Sequence, residues 1–401
     1  AIASYPTFDP NSFETGLTVQ EAKDLFSEKT GVPALNRALQ GLYAPGSTFK
    51  AVSVIAATDA GYDMNKRYDC PATVEVGTRV FNNFESKSQG VLTMKQAMAV
   101  SCDTIWYRIA FDEWLRDGGL KPKSGAHDYF FNAAKRFQMG TRTGIDLPSE
   151  SKSRLADREW RRAWYEQSKD FYCNYTTQAK KSQQTPFLIQ LAKENCIDGD
   201  KVRAGDAVNF SIGQGDTVVT PIKLAQMYAA IANGGTIWKP TVAKAIISNN
   251  GKVIKTFPHE ALGNIGVSPS TIAFLHSALH EVTISGTSAG VFAGFPIPTA
   301  GKTGTAQVFG KNPNGRAKDD SAWYASFAPA AQPRYVAVMM VSQGGFGAST
   351  SAVGVRKIYE TLFGTKGGKV DQAASLFPSG KPPSKLPKIS PATRPAGEKK
   401  K

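Results

Sequence analysis

The chain has 401 residues, of which 41% are hydrophobic, and it carries a formal net charge of +15. This length and apolar content allow a substantial buried core in one large domain with insertions or in two ordinary domains. The sequence has no run of about twenty apolar residues and no signal-peptide pattern, so it predicts neither a membrane span nor an export signal. Its basic runs are not interleaved with the aromatic residues that a base-stacking groove requires, which argues against nucleic acid as a partner.

The first predicted elements lie in the amino-terminal third. The opening residues, AIASYPTFDPN, look like the end of a strand running into a turn, which suggests that further sequence lies upstream. The stretch APGSTFKAVSVIAATDAGY predicts a helix, because apolar residues recur at helical spacing after Ser47 and a glycine supplies the stop. The segment from Val91 predicts two helices joined by a tight turn, with Ser101-Cys102-Asp103 at the junction.

The middle of the chain turns polar between about residues 149 and 206, which predicts a surface insertion. A helix starting at Thr220-Pro221 follows, then strands around an Asn-Gly turn and a helix from about Pro269 to Ile284. Three strand-like runs come next, TAGKTGTAQVF, SAWYASFAPA and RYVAVMMVSQ, before a last helix, SAVGVRKIYETLF. Helices followed by antiparallel strands predict an α+β domain in which helices cover a sheet.

The end of the chain differs in composition from the rest. From about Gly364 the sequence is rich in lysine and proline and poor in aromatic residues. Such a composition does not support a packed core, so residues 366–401 are predicted to form a disordered basic tail. Residues 1–365 form the predicted globular domain.

The four cysteines, Cys70, Cys102, Cys173 and Cys196, have neither C-x-x-C spacing nor the histidine pairing typical of zinc, so no metal is predicted. Cys173 and Cys196 flank a polar stretch and could form a disulfide outside the cytoplasm. Two free thiols are the default expectation for this pair, because the sequence does not fix connectivity. Cys102 is interpreted as a small packing residue rather than as a second nucleophile.

The stretch FPIPTAGKTGTAQVFG contains Gly301-Lys302-Thr303, which looks like the end of a phosphate-binding loop. Such a loop needs a glycine where Pro296 stands, and proline has no N–H to donate to a phosphate. The residues after Thr303 are small or β-type rather than helix formers. These features argue against a nucleotide site.

A second short motif, residues 286–290, matches the G-x-S-x-G nucleophile elbow of α/β-hydrolases. The elbow requires a strand before it and a helix after it, whereas here a helical pattern precedes it. No histidine follows Ser288 in the chain, although the triad of that fold requires one. This site is therefore disfavoured as well.

Ser47 and Lys50 are three residues apart on one predicted helix, so their side chains share a face. A serine hydroxyl becomes a nucleophile when a base takes its proton, and a lysine can do so when desolvation or nearby cations lower its pKa. The backbone N–H of Ser47, near the helix start, can also stabilise a developing oxyanion. This pair is a candidate catalytic centre.

The motifs STFK from Ser47, SCD from Ser101 and KTG from Lys302 occur in the order that penicillin-binding proteins and class A β-lactamases share. Together with ASYPTFDPN, TGIDLP and GQGDTVVTP, they span the chain to about Phe363. The sequence resembles a class B penicillin-binding protein, of the elongation-type penicillin-binding protein 2 group.

The resemblance implies a fold and an activity. The fold is the α+β arrangement of penicillin-binding proteins and β-lactamases, with a five-stranded antiparallel sheet flanked by helices and a helical subdomain. The activity is that of a D,D-transpeptidase that cross-links peptidoglycan stem peptides ending in D-Ala-D-Ala, is acylated by β-lactam antibiotics and uses no cofactor. An upstream membrane anchor, a position on the extracytoplasmic face of the cell membrane and a glycosyltransferase partner are implied too, and the basic tail could meet anionic wall or lipid headgroups.

The resemblance also assigns catalytic roles. Ser47 would attack the carbonyl of the penultimate D-alanine while Lys50 takes its proton. Ser101 would relay that proton to the leaving amine. Asp103 stands where most family members have asparagine, as in many elongation-type enzymes. Because a carboxylate favours protonated Lys50, Asp103 is expected to be neutral or paired, or else Lys50 loses its charge only when substrate arrives.

The remaining implied residues belong to substrate binding. The N–H groups of Ser47 and Thr305 would form the oxyanion hole. Lys302, Thr303 and Thr305 would bind the terminal carboxylate. Gly304 would allow the donor peptide to approach closely as an added strand.

Two alternatives share the same motifs. A class A β-lactamase needs a glutamate in an E-x-x-x-N pattern between the second and third motifs to activate water, and four glutamates of that region lack the asparagine: Glu150, Glu159, Glu166 and Glu194. A non-catalytic β-lactam sensor domain would keep the motifs on a signalling membrane protein. The polar insertion and the basic tail do not point to a sensor.

Overall fold

The computed structural model describes residues 1–377 apart from Gly251 and Pro313. The helices of this part of the chain are α1 (Ser12–Thr15), α2 (Val19–Phe26), α3 (Lys50–Asp59), α4 (Met94–Val100), α5 (Thr104–Arg116), α6 (Tyr129–Arg136), α7 (Arg158–Cys173), α8 (Tyr175–Gln178), α9 (Pro186–Asp198), α10 (Ala204–Ser211), α11 (Pro221–Ala232), α12 (Pro269–Ile284), α13 (Ala289–Phe292) and α14 (Val353–Phe363). The strands are β1 (Arg67–Cys70), β2 (Thr73–Val76), β3 (Arg79–Asn82), β4 (Gly90–Thr93), β5 (Thr236–Trp238), β6 (Ala245–Ile247), β7 (Val253–Thr256), β8 (Ala261–Asn264), β9 (Ala300–Ala306), β10 (Ser321–Ala328), β11 (Tyr335–Val341), β12 (Thr365–Lys366) and β13 (Lys369–Val370).

The central sheet is antiparallel and has the order β11-β10-β9. Every residue of β10 is buried, because the strand pairs on both sides and both of its faces are covered. Alternate side chains point to opposite faces of a strand, so Trp323 and Phe327 join the larger core with α3, α11 and α12. Tyr324 joins a smaller core beneath α14. The sheet therefore separates two hydrophobic layers.

The strand count differs from the predicted five-stranded sheet, since three strands pair in the central sheet among the described residues. The strands expected around the Asn-Gly turn form separate two-stranded ribbons, in which β6 pairs with β7 and β5 with β8. Strand-like sequence favours an extended backbone, whereas long-range packing determines which neighbouring strand it pairs with. The predicted α+β composition is otherwise observed.

Local capping signals set the helix boundaries. Two of the predicted helices, α11 and α12, begin at Pro221 and Pro269, and the side chains of Thr220 and Ser268 cap them. The predicted junction between two helices is present between α4 and α5, where Ser101 ends α4 in a left-handed conformation with φ of 61°. None of the helices in the described residues is long and apolar enough to span a membrane.

The polar stretch of residues 149–206 contains α7, α8, α9 and the start of α10. A disulfide between Cys173 and Cys196 joins the end of α7 to α9, so the expectation of free thiols for this pair is wrong. The two cysteines are brought together because α7 and α9 pack against each other. Polar composition alone did not reveal this helical pair.

The segment after α14 is folded for longer than predicted. Strands β12 and β13 pair, the Leu376 N–H donates to the Thr361 carbonyl at 3.1 Å, and the Phe377 ring stacks on Tyr335. The prediction that a disordered tail begins at residue 366 is therefore wrong for residues 366–377. The rest of that predicted tail, residues 378–401, lies outside the described residues.

Candidate active site

Ser47 lies in a 3-10 turn, Gly46–Phe49, that leads directly into α3. The turn is anchored by two hydrogen bonds from the surrounding core. The Gly46 N–H donates to the Gly213 carbonyl at 2.9 Å, and the Tyr228 hydroxyl donates to the Thr48 carbonyl at 3.0 Å. These contacts hold Ser47, which is half-buried, in a fixed position at the helix start.

Strand β9 lies directly against this turn. Gly46 has φ of 53°, and a Cβ atom there would lie 2.8 Å from the Thr305 carbonyl oxygen. A Cβ at Gly304 would lie 3.0 Å from the Pro45 carbonyl oxygen. The Gln214 side chain also donates to the Thr305 carbonyl at 3.2 Å. Glycine at both positions is required by the close approach of the two backbones.

Lys50 is fully buried one helical turn after Ser47. Its Nζ atom lies 2.7 Å from the Ser101 carbonyl oxygen, 3.1 Å from Ser101 Oγ and 2.5 Å from Asp103 Oδ1. The lysine thus connects the helix of the candidate nucleophile Ser47 to the α4–α5 junction. Of the alternatives for Asp103, the structure has the paired one.

Lys302 is also fully buried, on β9, and its Nζ donates to Ser101 Oγ at 2.8 Å. The Ser101 hydroxyl oxygen therefore accepts hydrogen bonds from two lysine amines, Lys50 and Lys302. A hydroxyl has two acceptor lone pairs and one O–H donor, so both acceptor positions are used and the O–H is left to donate. Because Lys302 lies within a strand rather than at a loop before a helix, the phosphate-loop alternative is contradicted.

Burial dominates the electrostatics of both amines. Desolvation lowers the pKa of Lys50, and the Asp103 carboxylate partly opposes this by favouring the charged form. Desolvation also lowers the pKa of Lys302 well below its usual value, the positive charge of Lys50 lowers it further, and Asp103 opposes both. Two buried ammonium groups that contact one hydroxyl repel each other, so the site favours a state in which one amine is neutral.

Thr303 is held by a residue that the sequence analysis did not identify. Its hydroxyl lies 2.7 Å from the Thr287 hydroxyl, and the Thr287 N–H donates to the Ala99 carbonyl of α4. Thr287 lies inside the elbow-like motif of residues 286–290. The serine of that motif, Ser288, is buried and donates to the Val282 carbonyl at 3.1 Å, so it has a structural role.

Asn83 is a second residue that the sequence did not indicate. It is buried, its Oδ1 accepts the Asp103 N–H at 3.0 Å, and its amide donates to the Lys87 carbonyl at 2.8 Å. A lone asparagine after a short strand has no motif that would identify it. The interaction arises only because the β3 end packs beside the α4–α5 junction.

Cys102 is fully buried, as expected for a packing residue, but it is also bonded to Cys70, a disulfide that the sequence analysis did not predict. The two positions are 32 residues apart, and four cysteines allow three pairings, which sequence alone does not separate. Among the described residues, no three histidine, cysteine, aspartate or glutamate side chains group closely enough to hold a metal ion.

Comparison with known proteins identifies the family. Residues 1–360 match the model of the penicillin binding protein transpeptidase domain, and the chain belongs to this family. The peptidoglycan D,D-transpeptidase MrdA of Haemophilus influenzae is 26% identical over 375 residues, which cover 90% of this chain and 50% of the relative. PbpA of Mycolicibacterium smegmatis, also a peptidoglycan D,D-transpeptidase, is 28% identical over 355 residues, which cover 86% of this chain and 59% of that protein.

Solved structures agree with this assignment. The crystal structure of Pseudomonas aeruginosa PBP2 superposes with a TM-score of 0.70 at 26% identity, covering 93% of this chain and 73% of that one. A chain of a peptidoglycan synthase complex that coordinates polymerization and crosslinking gives a TM-score of 0.67 at 29% identity. The superposition covers 91% of this chain and 53% of that one. The predicted fold class and the resemblance to the penicillin-binding protein 2 group are confirmed. The chain spans about half the length of the curated relatives that it matches.

Proposed function

We propose that this chain is a serine-type D,D-transpeptidase domain that cross-links peptidoglycan stem peptides through an acyl-enzyme on Ser47. One observation carries the proposal: Lys50, one turn from Ser47, meets Ser101 and Asp103 at the point where the Lys302 amine also arrives. Three separate motifs thereby converge on one hydroxyl. The peptidoglycan D,D-transpeptidase names of the relatives support the same conclusion.

The acylation step follows from these contacts. Ser47 Oγ attacks the carbonyl carbon of the penultimate D-alanine, and neutral Lys50 takes the serine proton. The Ser101 O–H, whose oxygen is held by the two lysines, gives a proton to the leaving D-alanine nitrogen and regains one from Lys50. The peptide C–N bond breaks, D-alanine leaves, and the ester on Ser47 remains for attack by the amine of a second stem peptide.

The edge of the central sheet supplies the binding surface. Strand β9 is the outer strand in the order β11-β10-β9 of the described residues, so a donor peptide can add beside it as a further strand. Lys302, Thr303 and Thr305 bind the terminal carboxylate, and Gly304 keeps the approach open. The N–H groups of Ser47 and Thr305 stabilise the oxyanion, a contribution of about 3 to 4 kcal/mol for one donor.

β-Lactams mimic the donor peptide and acylate Ser47 in the same way. We expect the resulting ester to persist. Glu260 has an asparagine four residues later, Asn264, but its carboxylate is exposed and pairs with the Lys239 amine at 2.8 Å rather than with a residue of the three motifs. Glu150, one of the glutamates without that asparagine, is buried and accepts the backbone N–H groups of Thr143 and Gly144 at 2.6 and 3.2 Å. Its carboxylate is therefore engaged in holding a loop, which disfavours the β-lactamase alternative.

The location and partners form part of the same proposal. Two disulfides among the described residues favour an oxidising compartment, in agreement with an extracytoplasmic enzyme held at the membrane by an upstream anchor. Cross-linking requires newly polymerised glycan strands, so a glycosyltransferase is the expected partner. The similarity to a chain of a peptidoglycan synthase complex supports that partnership.

Intact-mass analysis tests the proposal. The protein and its Ser47→Ala variant are incubated with benzylpenicillin, and their masses are followed over time. We expect a stable adduct of one drug molecule on the wild-type protein and none on the variant. Rapid loss of the adduct with release of hydrolysed drug would support a β-lactamase instead, and no adduct on either protein would refute both enzymatic assignments.

A further inference from the structure

A disulfide is built into the second catalytic motif. Cys102 lies between Ser101 and Asp103, and it is bonded to Cys70 at the end of β1. Both cysteines are fully buried. The covalent bond therefore fixes the one residue that separates the hydroxyl and the carboxylate of the proposed centre.

The backbone at this point requires support. Ser101 has φ of 61°, a left-handed conformation that is unfavourable for a residue with a side chain. Such a conformation persists only where the surroundings determine it, and functional sites are where such residues concentrate. Here it places the Ser101 hydroxyl between the amines of Lys50 and Lys302.

Hydrogen bonds connect the same few residues. The Asn83 amide lies 3.4 Å from Cys70 Sγ, and its Oδ1 accepts the Asp103 N–H. The Thr104 hydroxyl donates to the Pro71 carbonyl at 2.9 Å. The end of β1 and the residues that follow it thus pack against the Ser101-Cys102-Asp103 motif, and the disulfide is the covalent part of this contact.

We propose that the Cys70–Cys102 disulfide is a positioning device that makes acylation of Ser47 depend on the oxidised state of this pair. Reduction by a dithiol transfers two electrons and two protons: the S–S bond breaks, two thiols form, and the dithiol closes to a cyclic disulfide. Without the bond, Ser101 relaxes from its left-handed conformation and the two lysines lose their shared acceptor. The inference rests on the proposed transpeptidase function.

The chain contains a matched control. Its four cysteines form two disulfides, and the second, Cys173–Cys196, joins α7 to α9 and includes no residue of the three motifs. Each disulfide is removed by a double substitution, Cys70→Ala with Cys102→Ala, or Cys173→Ala with Cys196→Ala. A general loss of stability would affect both variants, whereas a positioning role affects only the first.

The test measures the acylation rate of each protein with a chromogenic β-lactam over a range of pH. For the Cys70→Ala, Cys102→Ala variant we expect a fall of about 10- to 100-fold, the size expected for misplaced catalytic groups, together with a changed pH profile. The profile changes because Ser101 and Asp103 set the environment of the Lys50 amine. We expect the control variant to stay within about twofold of the wild type with an unchanged profile.

Several results would overturn the proposal. Equal rates and profiles in the wild type and the Cys70→Ala, Cys102→Ala variant would show that the bond does not position the motif. Equal losses in both double variants, or the loss of native circular dichroism in the first, would assign the bond a general role in folding. These results can be distinguished from a failure of the proposed transpeptidase function, because in that case the oxidised wild-type protein would form no adduct with the β-lactam.

Discussion

Replacing Asp103 by asparagine tests how the proposed base is kept available. The carboxylate lies 2.5 Å from the Lys50 amine, and it is the group that opposes the effect of burial on the pKa of that lysine. At an effective dielectric constant of 20, two unit charges at this distance attract by roughly 7 kcal/mol, which is an upper limit for the change. An adjacent opposite charge usually moves a titration by about 1 to 3 pH units.

The direction of the expected pH shift follows from the proposed role of Lys50 as the base. Acylation requires neutral Lys50, so the rate rises with pH through the pKa of that amine. In Asp103→Asn the ammonium loses its counter-charge, which lowers the pKa of Lys50. We therefore expect the rising limb of the acylation rate to move to lower pH by about 1 to 3 units.

The assay is stopped-flow acylation by a chromogenic β-lactam as a function of pH, with circular dichroism to check the fold. Asp69→Asn is the matched control, because Asp69 pairs with Arg108 on the exposed surface and carries no proposed role. If the rise of the acylation rate with pH is unchanged in Asp103→Asn, or is displaced to higher pH, the assignment of Lys50 as the base is refuted.

Three further variants test the surroundings of the site. Gly213→Ala places a Cβ 2.5 Å from the Gly46 carbonyl oxygen at a position with φ of 70°. Because this displaces the turn that carries Ser47, we expect the acylation rate to fall by about 100-fold. A rate within about twofold of that of the wild type would contradict the close packing of Gly213 against this turn. Asn83→Ala removes the acceptor of the Asp103 N–H, and urea denaturation should give a free energy of unfolding lower by about 1 to 3 kcal/mol, whereas an equal value would contradict that hydrogen bond. Burial lowers the pKa of Lys223 from 10.5 to about 8, so the unfolded chain binds more protons than the folded chain between these values, and Lys223 makes stability rise with pH in that window. Lys223→Met should remove this rise, and parallel stability curves for the two proteins would show that the pKa is not lowered.

Much of the fold was predictable from local sequence patterns. The helix predicted near Pro269 to Ile284 has those bounds in the structure, because a serine cap and a first-turn proline specify its start. The junction at Ser101 was predictable in the same way, since two helical patterns meet there. The three motifs that we propose to be catalytic were likewise identifiable, because their proposed chemistry depends on short spacings within a few residues.

The remaining features depend on contacts between distant parts of the chain. The pairing of Cys70 with Cys102 and the contact of Asn83 with the Asp103 N–H are set by where β1 and β3 pack, and no local pattern encodes that position. The strands after α11 were recognised as extended, but their pairing away from the central sheet is likewise a property of tertiary packing.

The central claim is that the Ser47 hydroxyl is the group that becomes acylated. Digestion of the benzylpenicillin-treated protein followed by fragment-ion mass spectrometry tests it most directly, because the fragments assign the added mass to a single side chain. We expect the added mass on Ser47 alone, within the peptide that contains the turn Gly46–Phe49. An adduct on Ser101, on a lysine or on any other side chain, with Ser47 unmodified, would contradict the account.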